Sequence, residues 1–227
     1  MSTQLQNVNR ALIKAGISQL VVAMNENTPE AALASEIYDQ KLREALRAYP
    51  WRFAQKYADS SLAASGGAMD LFHGTATVPA VARADGTVEW QYAYRYPLDC
   101  AKALRCIGPN GRKFDRDAPP FIVGRNSPQA DEDPDDDIVV IYSNEADAML
   151  EYTAVVDLEL DTTDPLFENA FQTLLASEFA LALSRDADLA RKLYLIFKDT
   201  VIVGSTVVAQ EQQQEKPQDG CDWIDAR

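Results

Sequence analysis

Apolar residues recur every three or four positions near both ends of the chain and closer to every second position in the middle. That change of period divides the protein. Residues 3 to about 24 read as a first helix, with Leu5, Val8, Leu12, Ile13 and Ile17 apolar and Gly16 as a weak point or an end. Asn27 or Thr28 can accept a hydrogen bond from a free first-turn amide, and Pro29 suits the first position of a second helix. Leu33, Ile37, Tyr38, Leu42, Ala45, Leu46 and Tyr49 then follow at helical spacing, with Glu36, Asp39, Arg43, Glu44 and Arg47 opposite. Pro50 disfavours the α conformation at Tyr49, so this helix should stop or kink there. Trp51, Phe53 and Tyr57 bring three large rings just past that point. Tyr38, Tyr49, Trp51 and Phe53 are expected to make an aromatic corner of the core.

Asp59 to Gly67 is small and polar, with Gly66-Gly67 as a joint. From Asp70 to Leu160 the chain reads as strands and turns. Thr75 to Val78 and Val81 lead to an Asp85-Gly86 turn and a β-rich stretch from Thr87 to Tyr94. Tyr96 to Cys100 reads as a loop before Ala103–Ile107, and Asn110-Gly111 as another turn. Ile138–Tyr142 and Leu150–Leu160 are strand candidates, the second with Tyr152, Ala154, Val156, Leu158 and Leu160 on one side. Ser143 to Asp147 would be the hairpin loop between them.

Asp164-Pro165 restarts helix, a capping acid before a first-position proline. Leu166 to Ala182 keeps helical spacing. A break near Ser184 to Asp188 precedes a helix carrying Leu189, Leu193, Ile196 and Phe197. The β-branched run Thr200 to Val208 could be a strand on propensity alone. Gln212 to Arg227 reads as an extended arm, in which Trp223 and Ile224 gain nothing from exposure unless a partner or their own domain receives them. The expected fold is therefore α+β. Residues 1–62 and 162–211 would form an antiparallel helical bundle as one discontinuous domain, 63–161 a β-rich insertion, and 212–227 the arm.

Charge changes the picture in one region. Net charge is −14, and residues 126–184 contain no lysine or arginine. Within them Asp131, Glu132, Asp133, Asp135, Asp136 and Asp137 form a dense acidic run. This argues against wrapping nucleic acid, which needs clustered cations. It fits a solvated face, or a channel surface that DNA slides past without sticking. No apolar run reaches the roughly 20 residues of a membrane span, and no signal-peptide pattern is present, so the chain is expected to stay in the cytoplasm where it is made.

Candidate chemistry is sparse. Cys100, Cys106 and Cys221 have no metal-ligand spacing and suggest reduced thiols. The single histidine, His73, cannot anchor a triad or a histidine-rich metal site. No phosphate-binding glycine loop exists. Asp131, Asp133 and Asp135 match the first offsets of a calcium loop, but Asp136 stands where glycine is needed and Tyr142 where the bidentate glutamate belongs. No catalytic residue, metal or cofactor is expected.

Several segments nevertheless resemble one family. They are Asn9 to Gly16, Tyr38-Asp39 through Trp51-Arg52-Phe53-Ala54, Trp90 to Cys100, and Phe171 to Leu183. In this order they are similar to the head–tail adaptors of short-tailed bacteriophages, the tail tubular protein A type. The resemblance implies a non-enzymatic virion protein of the tail, assembled in the host cytoplasm into a dodecameric ring. That ring joins the portal protein to the tail nozzle or tail tube and lines the DNA exit channel, without binding DNA specifically and without a membrane. It also implies that the arm, through Cys221, Trp223, Ile224 and Arg227, docks into portal crevices. It further implies a helix continuing through Thr200–Val208, although the family usually has alanine and charged residues there. Two readings compete. One is a virion-associated cell-wall hydrolase with Glu151 or Glu159 as proton donor; the other is a transient assembly chaperone.

Overall fold

A computed structural model describes residues 3–59, 71–73, 81–82, 88–108, 118–126, 138–158 and 164–213. The fold is mixed α+β. Its described residues divide into two units, residues 1–52 with 158–227 and residues 53–157.

The first unit is helical. Helix α1 (Gln4–Lys14) opens with a capping box: Thr3 Oγ1 accepts from the Gln6 amide at 3.2 Å, and Gln6 Oε1 accepts from the Thr3 amide at 3.2 Å. The helix is half the expected length. It ends at Lys14, and Gly16 follows at φ +76, a conformation glycine tolerates without a Cβ penalty. What periodicity read as further helix is instead clipped back along α1. The Asn9 side chain exchanges two 2.9 Å hydrogen bonds with the backbone of Val21. The buried face is Asn7, Val8, Ala11 and Leu12, while Ile13 is 61% exposed.

Helix α2 (Pro29–Ala48) is capped by Thr28, whose Oγ1 accepts from the Ala31 amide at 3.3 Å. It stops at Tyr49, which is extended (φ −147, ψ 147), where Pro50 required. Ala31, Ala34, Tyr38, Leu42, Ala45 and Leu46 are buried; Leu33 and Ile37 are only half-buried, so the seam lies one small step from the large-residue stripe.

Helix α3 (Pro165–Ala182) is the centre of this unit, touching α1, α2 and α4 (Ala187–Gln213). Asp164 Oδ1 caps it from 2.7 Å, and eleven of its residues are buried, among them Phe167, Phe171, Leu174, Leu175 and Phe179. Its face toward α1 is polar. Lys14 Nζ donates to the Asn169 side chain at 2.7 Å and to Thr173 Oγ1 at 2.9 Å. Gln172 Nε2 donates to Asn7 Oδ1 at 2.9 Å, a buried pair in which each amide finds a partner.

Thr200–Val208 is helical, as the resemblance implied and against its propensity. The Thr200, Ser205 and Thr206 hydroxyls donate to carbonyls three or four residues back, at 2.6–2.8 Å. Helix α4 also runs two residues into the expected arm, to Gln213.

A 3-10 turn (Arg52–Ala54) begins at the last residue of the first unit's leading segment and leads into strand β1 (Gln55–Asp59) of the second unit. Strands β2 (Leu71–His73), β3 (Val81–Ala82), β4 (Val88–Trp90), β5 (Tyr92–Arg95) and β6 (Cys100–Ile107) follow. Then come β7 (Phe121–Asn126), β8 (Ile138–Ser143) and β9 (Met149–Ala154). Among the described residues these strands form three antiparallel sheets, ordered β1-β9-β6, β2-β5-β8-β7 and β3-β4. β3 and β4 pair as the Asp85-Gly86 reading requires, although that turn lies outside the described residues.

Two expectations fail here. Ser143 to Asp147 is not a hairpin loop, because β8 and β9 lie in different sheets. The segment carries the chain from one sheet to the other, with Asp147 at φ +53. Tyr94 holds it: the Tyr94 hydroxyl donates to the Glu145 carbonyl at 2.6 Å. The last strand also stops at Ala154, well short of Leu160. There the Val155 amide donates to the Asp99 carbonyl at 2.6 Å. Both alternating faces of β9 are covered, so period-two reasoning could not place its end.

Candidate functional site

Of the expected aromatic corner, Tyr38, Tyr49 and Trp51 make ring contacts in the helical unit. Helix α2 leaves its final carbonyls without intrahelical donors. The Trp51 indole Nε1 donates to the Ala45 carbonyl at 3.1 Å and so serves as a side-chain cap. Pro50 lets the backbone fold tightly enough for this, the Trp51 amide donating to the Tyr49 carbonyl at 2.9 Å. Trp51, 1% exposed, meets Tyr49 edge-on at 5.5 Å and Phe167 at 5.3 Å. Tyr38 meets Phe171 edge-on at 5.2 Å, and Phe167 stacks on Phe171. Phe167 and Phe171 were visible as apolar positions of α3 but not as corner members, because nothing local links residue 51 to residue 167. Phe53 falls past the division between units, half-buried in the 3-10 turn. Burial raises the Tyr49 phenol above its ordinary pKa, with Arg52 working against it.

Beside this corner, α2 and α4 enclose a groove of about 660 Å³. Ala48, Tyr194, Phe197, Val201 and Ile202 give it an apolar lining. Arg43, Arg47 and Lys198 supply cations, and Lys198 Nζ sits 4.8 Å from the Tyr194 ring centroid. Glu44, also at the groove, is paired with Lys41 at 2.9 Å; Lys41 bonds Glu178 at 2.6 Å as well. Burial works to lower the Lys41 pKa, but these two carboxylates prevail and raise it. From the groove edge at Ile202 round its outer side, α4 also exposes Leu195, Ile196, Val203 and Val207, with Ile202 at 62%. The helix thus has an inner line, Leu193, Phe197 and Gly204, and a second apolar face without cover among the described residues.

Glu151, the possible proton donor of the hydrolase reading, is 8% exposed and already engaged. Arg105 donates to its Oε2 at 2.7 Å and the Tyr57 hydroxyl to its Oε1 at 3.1 Å, cross-linking three strands of one sheet. Asp99 plays a similar part, accepting from Lys56 at 2.9 Å and from the Tyr152 hydroxyl at 3.0 Å. Cys100 and Cys106 are buried and not disulfide-bonded, and burial pushes the Cys106 thiol up. His73 lies in β2. Among the described residues no three His, Cys, Asp or Glu side chains converge as a metal site, and no helix is long and apolar enough to cross a membrane.

Glu159, the acidic run Asp131, Glu132, Asp133, Asp135, Asp136 and Asp137, and the arm residues Cys221, Trp223, Ile224 and Arg227 lie outside the described residues. The groove and the exposed α4 face escaped sequence reasoning. Their one signal was the mismatch between the apolar run Tyr194–Phe197 and a helix that needs only a narrow stripe to bury. No family model matches the chain, and no curated protein matches it.

Proposed function

We propose that this chain is a structural head-to-tail connector of a short-tailed phage virion, without enzymatic activity. In this reading the helical unit is an antiparallel bundle that packs against copies of itself in a ring at the head–tail joint. The β unit faces the next tail component. The arm docks on the portal protein, and the acidic run lets DNA pass unbound. One observation carries most weight: the long exposed apolar face of α4, more contiguous than a solitary soluble domain usually leaves in water. A subunit of an assembly has a use for such a face. The engagement of Glu151 inside its sheet weighs against the hydrolase alternative.

The test is native mass spectrometry or sedimentation of the purified chain, alone and mixed with the portal protein of the same phage. The connector reading expects a stoichiometric ring complex that is lost when residues 213–227 are deleted. Absence of any complex across a range of salt concentrations overturns it.

A further inference from the structure

We infer that the groove between α2 and α4 is the receptor for this chain's own Asp222-Trp223-Ile224-Asp225 segment. The sequence complements the site in two respects. An apolar pair flanked by acids matches an apolar lining flanked by Arg43, Arg47 and Lys198. The lining carries Arg43, Arg47 and Lys198 against one carboxylate, Glu44, so its formal charge balance is positive toward the two aspartates. Tryptophan is enriched among the residues that anchor interfaces, and nearby cations are attracted to its ring face.

Length and direction allow it. The described chain ends at Gln213, at the tip of α4. Returning from there to Lys198 covers about 22 Å of helix at 1.5 Å per residue. The ten residues from Gln213 to Trp223 reach about 33 Å when extended. Pro217 and Gly220 lie between, residue types suited to a chain reversal. A short tether holds the segment at an effective concentration of order millimolar, so modest affinity suffices for occupancy within one chain before a second copy competes. This inference does not depend on the connector reading, because it is read on the isolated full-length chain. If both hold, the portal must draw the segment out of its groove.

Native Cys221 provides the probe. Full-length variants Gln40→Cys and Ala48→Cys place a thiol at two points on the groove, and Leu195→Cys places one on α4 outside its lining. Each is oxidised mildly at low protein concentration and mapped by peptide mass. The expected result is an intrachain disulfide from Cys221 to residue 40 or 48, at least about tenfold more abundant than to residue 195. Adding Asp222→Lys and Asp225→Lys should reduce that yield by about tenfold, while circular dichroism stays unchanged. Equal yields at all three positions, no intrachain bond at 40 or 48, or interchain bonds alone would each overturn the assignment. The last would make the occupant a second copy.

Discussion

Exchanging two tryptophans for phenylalanine, one in each unit, should have opposite consequences. Trp51 caps the Ala45 carbonyl, whose residue is fully buried. Trp51→Phe removes that donor and leaves the acceptor out of water, costing about 1–3 kcal/mol. The space vacated beside Phe167 adds about 1 kcal/mol, since a locked aromatic corner relaxes little. The sum is about 2–4 kcal/mol. Trp90 presents the reverse case: its Nε1 is buried with no hydrogen-bond partner among the described residues. Trp90→Phe deletes a buried donor that the described residues leave unpaired, so its cost should stay within about 0.5 kcal/mol of zero and could be negative. Urea unfolding followed by far-ultraviolet circular dichroism separates the two. With a slope of about 2 kcal/mol per molar, Trp51→Phe should lower the midpoint by about 1–2 M, and Trp90→Phe should barely move it. A Trp51→Phe loss below about 0.5 kcal/mol, or a larger loss for Trp90→Phe, would refute the capping argument.

Further outcomes follow from neighbouring contacts. A Cβ on Gly204 would stand 3.0 Å from Trp51 Cζ3 and 3.1 Å from Cη2. Gly204→Ala should therefore destabilise despite a helix-propensity gain of about 1 kcal/mol, and should turn stabilising in a Trp51→Phe background; a double-mutant cycle by urea unfolding checks this. Arg105→Ala strands Glu151 in a partly buried site and should cost about 2–4 kcal/mol, whereas Lys56→Ala, at an exposed pair, should cost less than about 1 kcal/mol by the same assay. Burial raises the Tyr94 phenol from 10.0 to about 12. The folded chain then keeps a proton that the unfolded chain releases. Stability should be intact below pH 10 and fall by roughly 2–3 kcal/mol as pH climbs toward 12, the loss shrinking in Tyr94→Phe; unfolding titrations at alkaline pH measure it.

Helix starts were legible because their determinants are local. Thr28-Pro29 and Asp164-Pro165 each put a capping oxygen and a proline within two residues, and both helices begin there. Ends were legible only where proline or glycine wrote them, as at Pro50 and Gly16. The period of residues 17–24 misled because the Asn9 side chain, twelve residues away, replaces helix with two hydrogen bonds to Val21. The sheet assignment of β8 and β9 failed for a similar reason. A short polar link looks the same whether it closes a hairpin or changes sheets, and the deciding contact comes from Tyr94. Division into units falls at 52 and 158 rather than 62 and 162, since Gln55–Asp59 finds its pairing partner in β9. Of the interaction surfaces, the aromatic corner could be read in part. The groove could not, being made by residues about 150 positions apart.

The pairing of β1 with β9 bears on how the chain reaches its native state. Gln55 lies opposite Thr153, so the chain enters and leaves the β unit on adjacent strands. Until that pairing forms, α2 and α3 are the ends of a loop of more than a hundred residues. Once it forms, the effective loop shrinks to the short segments on either side. By loop-closure entropy the saving is about 2 kcal/mol, or a factor of about 20 in the probability that α2 meets α3. Refolding of the helices should accordingly wait on a strand pair outside their own unit. A substitution that breaks β1, such as proline at Tyr57, should slow helical refolding while leaving every helix–helix contact intact.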